Sequence, residues 1–225
     1  MKKPKIFIAC DTKSTSKARK IILSTKTNKL KIGYKFGLEF INSKKGRLFV
    51  SKLKNKIIFY DAKFHDIPNT MISALKSIKD LKIKYLTVHI SSGIEALRKI
   101  KKNSGKIKIV GVTTLTSLDN NNLKEIGYNK TVKNLVIHQA KLAKKANLDA
   151  IVCSAHEVKY VKKIFKNEII CPGIRFDNNF QDQKRVMTPK KALFELGCNW
   201  IVIGRALTKG KIKNNLKKLI THLYK

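Results

Sequence analysis

The stretch Lys56-Ile57-Ile58-Phe59-Tyr60-Asp61-Ala62-Lys63-Phe64-His65-Asp66-Ile67-Pro68 begins with an apolar run, continues with charged side chains and ends at a proline. The run over residues 56–60 is continuously apolar after its first residue, as is typical of a parallel strand covered on both faces. Pro68 lies where the first turn of a following helix belongs. The stretch therefore predicts one strand-to-helix unit with charged residues at the carboxyl end of the strand.

Similar runs recur along the chain, with segments of helical spacing between them. In residues 131–146, for example, Val132, Leu135, Val136, Gln139 and Ala143 fall on one helical face. The predicted strands cover residues 5–10, 30–34, 56–60, 85–90, 107–113, 150–154, 168–171 and 200–203.

Eight strands alternating with helices in 225 residues predict an α/β fold, a parallel (β/α)₈ barrel that forms a single domain over residues 1–225. A doubly wound sheet is the alternative. That fold usually has a glycine-rich turn after its first strand, whereas here Cys10 is followed by Asp11-Thr12-Lys13. We therefore favour the barrel.

The chain is strongly basic, with 50 Lys and Arg against 14 Asp and Glu and a formal net charge of +36. Only six of the basic residues are arginine, and the lysines are scattered through every segment. We interpret most of this charge as a solvated surface and predict no nucleic-acid partner. A nucleic-acid-binding protein is the competing class, and it would bind duplexes in a strongly salt-dependent way.

The cysteines and the apolar runs argue against several other classes. Cys10, Cys153, Cys171 and Cys198 are far apart and have no metal-ligand spacing, so we predict reduced, buried thiols and no metal site. The N-terminal apolar run, residues 6–10, is too short for an export signal, and no run could span a bilayer. We expect a cytoplasmic protein without a membrane partner.

Asp61, Lys63 and Asp66 form the constellation best suited to chemistry. In an extended strand, residues two apart project to the same side, so Asp61 and Lys63 face together, and Asp66 lies just beyond. A surface ion pair with a helix-capping Asp66 is the ordinary interpretation. Active sites of such barrels, however, lie at the carboxyl ends of the strands. A lysine between carboxylates stays protonated, because the nearby negative charges favour its charged form. The same carboxylates repel a substrate anion, so the arrangement suits a reaction in which that negative charge leaves the substrate, as in decarboxylation.

The string Asp61-Ala62-Lys63-Phe64-His65-Asp66-Ile67-Pro68-Asn69-Thr70 resembles the signature of the orotidine 5′-phosphate decarboxylase family, with Ala62 where Leu is usual. The resemblance extends over nearly the whole chain in ordered blocks. These are Ile8-Ala9-Cys10-Asp11, Leu30-Lys31-Ile32-Gly33, Thr87-Val88-His89, Gly111-Val112-Thr113-Thr114-Leu115-Thr116-Ser117, Pro172-Gly173-Ile174-Arg175, residues 182–189 and Val202-Ile203-Gly204-Arg205.

The resemblance implies cofactor-independent decarboxylation of orotidine 5′-phosphate to uridine 5′-phosphate in pyrimidine biosynthesis. Lys63 is then the proton donor to C6 of the pyrimidine, and Asp61, Lys31 and Asp66 complete an alternating charged array. The family further implies a homodimer in which Asp66, with residues near Thr70, reaches into the neighbouring site.

The resemblance also implies the substrate-binding residues. Asp11 and Lys31 contact the ribose, Thr116 and Ser117 lie at the pyrimidine, and Arg175, Gln183, Gly204 and Arg205 hold the phosphate. The phosphate assignment has separate support, because three of the six arginines fall between positions 175 and 205, after the last two predicted strands, where barrels commonly bind phosphate.

The chain departs from the family at two further positions, since Phe176 and Ala206 stand where proline is usual. A related alternative is a phosphosugar lyase of the same barrel group, which uses bound magnesium to stabilise an enediolate. That activity needs a further acidic ligand near the second strand, and Glu39 is the nearest candidate.

Overall fold

The structure, a computed structural model, describes residues 3–176 and 187–224. Eight parallel strands close into a barrel in chain order, which confirms the predicted (β/α)₈ fold. The strands are β1 Lys5–Ala9, β2 Lys31–Gly37, β3 Ile57–Phe64, β4 Tyr85–His89, β5 Lys108–Val112, β6 Ala150–Val152, β7 Glu168–Cys171 and β8 Trp200–Ile203.

Helices follow the strands and cover the outer face of the barrel. They are α1 Thr15–Ser24, α2 Leu38–Ile41, α3 Gly46–Ser51, α4 Pro68–Ser77, α5 Ile94–Asn103, α6 Asn120–Glu125, α7 Val132–Lys145, α8 Val158–Ile164, α9 Arg205–Thr208 and α10 Ile212–Tyr224. Short 3₁₀ turns at Lys79–Leu81, Ile90–Ser92 and Ala155–Glu157, and a π-helical segment at Lys191–Glu195, complete the connections.

The helix boundaries follow from the local sequence. In α7 the face predicted from the spacing is buried, and the hydroxyl of Thr131 caps the helix by accepting from the backbone N–H of Asn134 at 3.3 Å. Pro68 opens α4, as predicted. Within the described residues, no helix has both the length and the apolar character needed to cross a membrane.

An aromatic cluster fills the amino-terminal half of the barrel interior. The rings of Phe7 and Trp200 stack with centroids 4.1 Å apart, and Phe59 and Tyr85 pack against Phe7 at 4.8 and 5.2 Å. All four side chains are buried. The barrel is therefore closed at this end, and the open space lies at the carboxyl ends of the strands.

Two strands extend beyond their predicted ends. β3 continues to Phe64 rather than stopping at residue 60, and β2 continues to Gly37 rather than stopping at residue 34. In both strands the added residues include charged side chains that face the mouth of the barrel. A prediction based on apolar runs ends where these side chains begin, although the backbone pairing continues.

Cys171 and Cys198 form a disulfide, with their Cα atoms 6.4 Å apart, so the prediction of four reduced thiols is wrong for this pair. Cys171 ends β7, and Cys198 comes just before the neighbouring strand β8, which brings together two residues that are 27 positions apart in sequence. Cys10 and Cys153 are free and buried, as predicted.

Candidate active site

A cavity of about 300 Å³ opens at the carboxyl ends of the strands. Its wall combines two kinds of side chain. Charged groups come from β2, β3 and the loops after β1, β7 and β8, and apolar groups come from the middle of the barrel. The residues used below are Asp11, Lys35, Asp61, Lys63, Thr116, Arg175, Gly204 and Arg205, all of which line the cavity.

Four of these side chains form a chain of alternating charge. The ammonium of Lys35 lies 3.3 Å from Oδ1 of Asp11 and 3.2 Å from Oδ2 of Asp61. The other carboxylate oxygen of Asp61 lies 2.9 Å from Nζ of Lys63. The order Asp11, Lys35, Asp61, Lys63 therefore runs across three adjacent strands, with the lysine of β3 at one end.

Burial and charge act in opposite directions on the central pair. Burial alone disfavours the charged form of Lys35, but the carboxylates of Asp61 and Asp11 outweigh it and raise the pKa of this ammonium above its ordinary value. Burial alone would also favour the neutral form of Asp61, but Lys35 and Lys63 outweigh it and lower the pKa of this carboxyl. Both groups are therefore charged at neutral pH.

The backbone of β3 is irregular where it carries these side chains. Tyr60 pairs with Leu86 of β4, and the next paired residue, Phe64, lies opposite Val88, so the register shifts between them. Within this irregular stretch Lys63 has a φ of 50°, in the left-handed region that side chains other than glycine rarely adopt. Such a bulge re-aims side chains near an active site.

Two arginines line the same cavity from the loops after β7 and β8, across the closed barrel from β3. Arg175 follows β7, and its backbone N–H donates to the carbonyl of Met187 at 3.1 Å. Arg205 begins α9 directly after Gly204 and β8. A guanidinium offers a planar fork that matches phosphate geometry, so the cavity presents cations suited to a phosphate across the barrel from the lysine of β3.

The prediction for Lys31 is wrong. Lys31 is the first residue of β2 and pairs with Lys5 at the amino-terminal end of the barrel, where it is exposed. Lys35 occupies the place in the charged array that was assigned to Lys31. Strand β2 contains the pattern Lys-x-Gly twice, at Lys31-Ile32-Gly33 and at Lys35-Phe36-Gly37, and the second copy reaches the mouth.

Three other predicted residues lie outside the cavity of this chain. Asp66 is exposed, and its Oδ1 accepts from the backbone N–H of Ile67 at 2.7 Å. Thr70 is exposed on α4, and Ser117 is exposed in the loop after β5, next to the cavity-lining Thr116. Gln183 falls outside the described residues.

Cys153 also lines the cavity, at the end of β6. Its thiol is fully buried, and this burial raises its pKa well above the ordinary value, with a further contribution from Glu157. Burial likewise raises the pKa of Cys10 to about 12. Since the thiolate is the nucleophilic form, both cysteines act as small apolar side chains at neutral pH, as the sequence suggested.

Comparison with known proteins gives consistent results. The model of the "Orotidine 5'-phosphate decarboxylase / HUMPS family" matches residues 4–218. The chain is 43% identical over 225 residues to an orotidine 5′-phosphate decarboxylase from Wolbachia sp. subsp. Brugia malayi, covering 96% of each chain. It is 46% identical over 156 residues to the enzyme from Ehrlichia chaffeensis, covering 67% of each chain. The crystal structure of orotidine 5′-phosphate decarboxylase from Lactobacillus acidophilus has a TM-score of 0.83 and 28% identity, over all of both chains.

Proposed function

The chain belongs to the orotidine 5′-phosphate decarboxylase / HUMPS family and is a carboxy-lyase of pyrimidine biosynthesis that acts on orotidine 5′-phosphate, and we propose that Lys63 supplies the proton that replaces the departing carboxyl group. The observation that carries this proposal is the chain Asp11, Lys35, Asp61, Lys63, which shares one cavity with Arg175 and Arg205.

The chemistry follows from the charge order. The substrate carboxylate binds beside Asp61, whose lowered pKa keeps it ionised, so the two anions repel each other. When the bond from C6 to the carboxyl group breaks, carbon dioxide leaves and the electron pair stays on C6. The negative charge then lies next to the Lys63 ammonium, which stabilises it and transfers a proton to C6. The product is uridine 5′-phosphate.

Lys35 has a different part in this scheme. It bridges Asp11 and Asp61 and fixes both carboxylates in place, 3.3 and 3.2 Å from its ammonium. Its raised pKa keeps the bridge charged. We propose that Asp11 and Lys35 contact the ribose, and that Thr116 lies at the pyrimidine, since both assignments fit residues that line the cavity.

The phosphate end supplies binding energy remote from the reacting carbon. We propose that Arg175 and Arg205, with the backbone at Gly204, hold the 5′-phosphate, because all three line the cavity and follow β7 and β8, across the closed barrel from β3. A direct decarboxylation needs a barrier reduction at the upper end of enzyme performance, on the order of 20 kcal/mol. One lysine is insufficient, so phosphate binding must help to hold the carboxylate against Asp61. Gln183 remains a predicted phosphate ligand.

We further propose that the active form is a homodimer in which each chain completes the site of the other. Asp66 and Thr70 are exposed and do not line the cavity of their own chain. Between them Ile67 exposes 66% of its surface at the start of α4, which is a large exposure for an isoleucine. An interface over this face would bury Ile67 and carry Asp66 towards a second cavity. A cytoplasmic location also remains a prediction.

Decarboxylation is tested by following the loss of orotidine 5′-phosphate spectroscopically. We expect turnover by the native chain and a loss of at least about 1,000-fold for Lys63→Ala, since the proton donor is removed. Lys99→Ala is the matched control, because Lys99 pairs with Glu95 on the exposed face of α5. Full activity of folded Lys63→Ala protein would contradict the role of Lys63.

A chelator separates this reaction from that of the magnesium-dependent lyase. We expect unchanged decarboxylation in excess chelator. Glu39, the acid that the lyase alternative needs, is exposed in α2 and does not line the cavity. Loss of activity in chelator and recovery with added magnesium would favour that alternative.

A further inference from the structure

Thr87 lies in the middle of β4, with none of its surface exposed, directly behind the charged pair of β3. Its hydroxyl makes two hydrogen bonds. The backbone N–H of Lys63 donates to Oγ1 of Thr87 at 2.8 Å, and this hydroxyl donates in turn to Oδ1 of Asp61 at 3.1 Å. A single side chain therefore joins the two residues that flank the reacting carbon in the proposed reaction.

The irregular register of β3 explains why such a link is needed. Between the paired positions Tyr60 to Leu86 and Phe64 to Val88, three residues of β3 lie opposite Thr87 alone. A regular parallel ladder cannot satisfy the backbone groups of three residues with those of one. At Lys63, which has a φ of 50°, the Thr87 hydroxyl accepts the hydrogen bond that a strand carbonyl would otherwise accept.

The hydroxyl both donates and accepts in this arrangement. A threonine hydroxyl has one proton and two lone pairs, and here the proton goes to the Asp61 carboxylate while a lone pair accepts from Lys63. The same oxygen of Asp61 also accepts from Nζ of Lys63 at 2.9 Å. Together these three contacts close a ring that fixes the backbone of Lys63, its ammonium and the Asp61 carboxylate relative to one another.

We propose that Thr87 is a positioning residue for the decarboxylation, whose hydroxyl holds the β3 bulge so that Asp61 and Lys63 face the substrate in reactive geometry. This inference rests on the proposed function of Lys63. Loss of the hydroxyl leaves the backbone N–H of Lys63 unpaired and releases one oxygen of Asp61, which allows both side chains to move from the reacting carbon.

The test replaces the hydroxyl without changing the volume. Thr87→Val removes both hydrogen bonds, and Thr87→Ser restores them. We expect kcat for orotidine 5′-phosphate to fall about 10- to 100-fold in Thr87→Val, a loss typical of removing a group that orients a reactive side chain, and to stay within about threefold of native in Thr87→Ser. KM and the affinity for uridine 5′-phosphate should change little, since the phosphate-binding arginines are untouched.

Thr25→Val is the matched control for a loss of stability alone. Thr25 is also fully buried, and its hydroxyl donates to the carbonyl of Ile21 at 2.8 Å and lies 3.0 Å from the hydroxyl of Tyr34, outside the cavity. We expect this variant to lose stability and to keep native kcat when measured below its melting temperature.

The pH profile gives a second readout that stability does not move. Asp61 faces Lys35 from β2, Lys63 from its own strand and His89 from β4, and Thr87 is its neutral donor. Removing that donor destabilises the carboxylate, so the acid limb of the kcat profile should move to higher pH in Thr87→Val but not in Thr87→Ser.

The outcomes separate this inference from the proposed function. A native enzyme that leaves orotidine 5′-phosphate unchanged overturns the proposed function itself. An active native enzyme with equal kcat and equal acid limbs in Thr87→Val and Thr87→Ser overturns only the role of Thr87. If Thr87→Val does not fold, Thr87→Cys takes its place, since it keeps a side chain of similar size with a weaker hydrogen-bonding group. Native kcat in Thr87→Cys would then overturn the inference.

Discussion

Lys31 and Lys35 carry the same side chain, and only their distance along β2 separates their roles. Lys35 bridges two carboxylates at the mouth, whereas Lys31 is exposed at the other end of the strand, roughly 13 Å away for four residues. We expect Lys35→Ala to lower kcat/KM by about 100-fold or more, because it removes the cation that bridges the Asp11 and Asp61 carboxylates. Lys31→Ala is the control and should stay within about twofold. Equal activities would contradict the placement.

The sequence could not distinguish these two lysines by its own pattern. Positions 31, 33, 35 and 37 all face the same side of a strand, so alternation assigns Lys31 and Lys35 alike to the interior. The position of the strand relative to its neighbours decides between them, because Lys35 pairs with Ala9, the last residue of β1, whereas Lys31 pairs with Lys5, the first. The sequence does not predict the role of Thr87 for a related reason, because that role depends on a bulge in the neighbouring strand β3.

His89 links the site to the acid stability of the protein. Burial lowers its pKa, and the nearby His65, with a ring centroid 5.1 Å away, and Lys63 lower it further. The unfolded chain therefore binds a proton near pH 6.5 that the folded chain takes up only at lower pH. This difference removes stability as the pH falls through that range, and it contributes no penalty above it.

We expect His89→Gln to remove part of this acid sensitivity. The measurement is the fall in melting temperature between about pH 7.5 and about pH 5, which spans the ordinary titration of histidine. The fall should be smaller in His89→Gln than in the native chain. His138→Gln is the matched control, because it replaces a histidine on the exposed face of α7. If the melting temperature of His89→Gln falls by as much as that of the native chain, His89 does not cause the loss of stability at acid pH.

At the scale of the element, β2 must allow the aromatic cluster to approach its backbone. A Cβ atom added at Gly33 would lie 2.5 Å from the ring of Phe7 and 3.1 Å from the carbonyl oxygen of Ile57. Phe7 is held by stacking on Trp200, so its ring cannot move away freely. We expect Gly33→Ala to lower the free energy of unfolding by about 1–3 kcal/mol through overpacking.

Gly37→Ala is the control on the same strand. The atom nearest its added Cβ is Nζ of Lys35 at 3.9 Å, an ordinary contact. We expect its free energy of unfolding to stay within about 0.5 kcal/mol of native in a denaturant titration. If the two variants are equally stable, Phe7 and its neighbours can move to accommodate the added Cβ atom. Packing then does not require glycine at position 33.

The elements themselves were predicted unevenly. β7 and β8 match their predicted residues, because an asparagine precedes each run and Pro172 or Gly204 follows it. β2 and β3 were predicted too short, because the residues near their carboxyl ends include the charged side chains Lys35, Asp61 and Lys63. β2 and β3 are therefore the strands whose carboxyl ends an apolar pattern predicts too short, because function places charge where the pattern requires hydrophobic residues.

For the molecule as a whole, the net charge of +36 is opposite in sign to the charge of a substrate that carries a phosphate and a carboxylate. A field of this sign raises the rate of encounter with an anion, and salt screens it over about 10 Å at 0.1 M. We expect kcat/KM to fall with added potassium chloride more steeply than kcat. An uncharged osmolyte at matched viscosity is the control. A flat kcat/KM would show that the surface lysines do not assist substrate capture.

The proposed dimer makes a prediction that one chain alone cannot satisfy. If Asp66 completes the neighbouring site, a mixed dimer of Lys63→Ala and Asp66→Asn chains contains one doubly altered site and one intact site. Random pairing of equal amounts then gives intact sites in about a quarter of all positions. We expect co-expressed variants to recover up to about that fraction of native activity, although each variant alone is inactive.

Asp61→Asn provides the matched pairing, because Asp61 lies 2.9 Å from Lys63 in the same chain. Mixed dimers of Lys63→Ala and Asp61→Asn contain no intact site, so co-expression should restore nothing. Native mass spectrometry establishes that mixed dimers form in both cases. If they form and the pairing with Asp66→Asn also stays inactive, Asp66 does not act across the interface, and the exposed start of α4 needs another explanation.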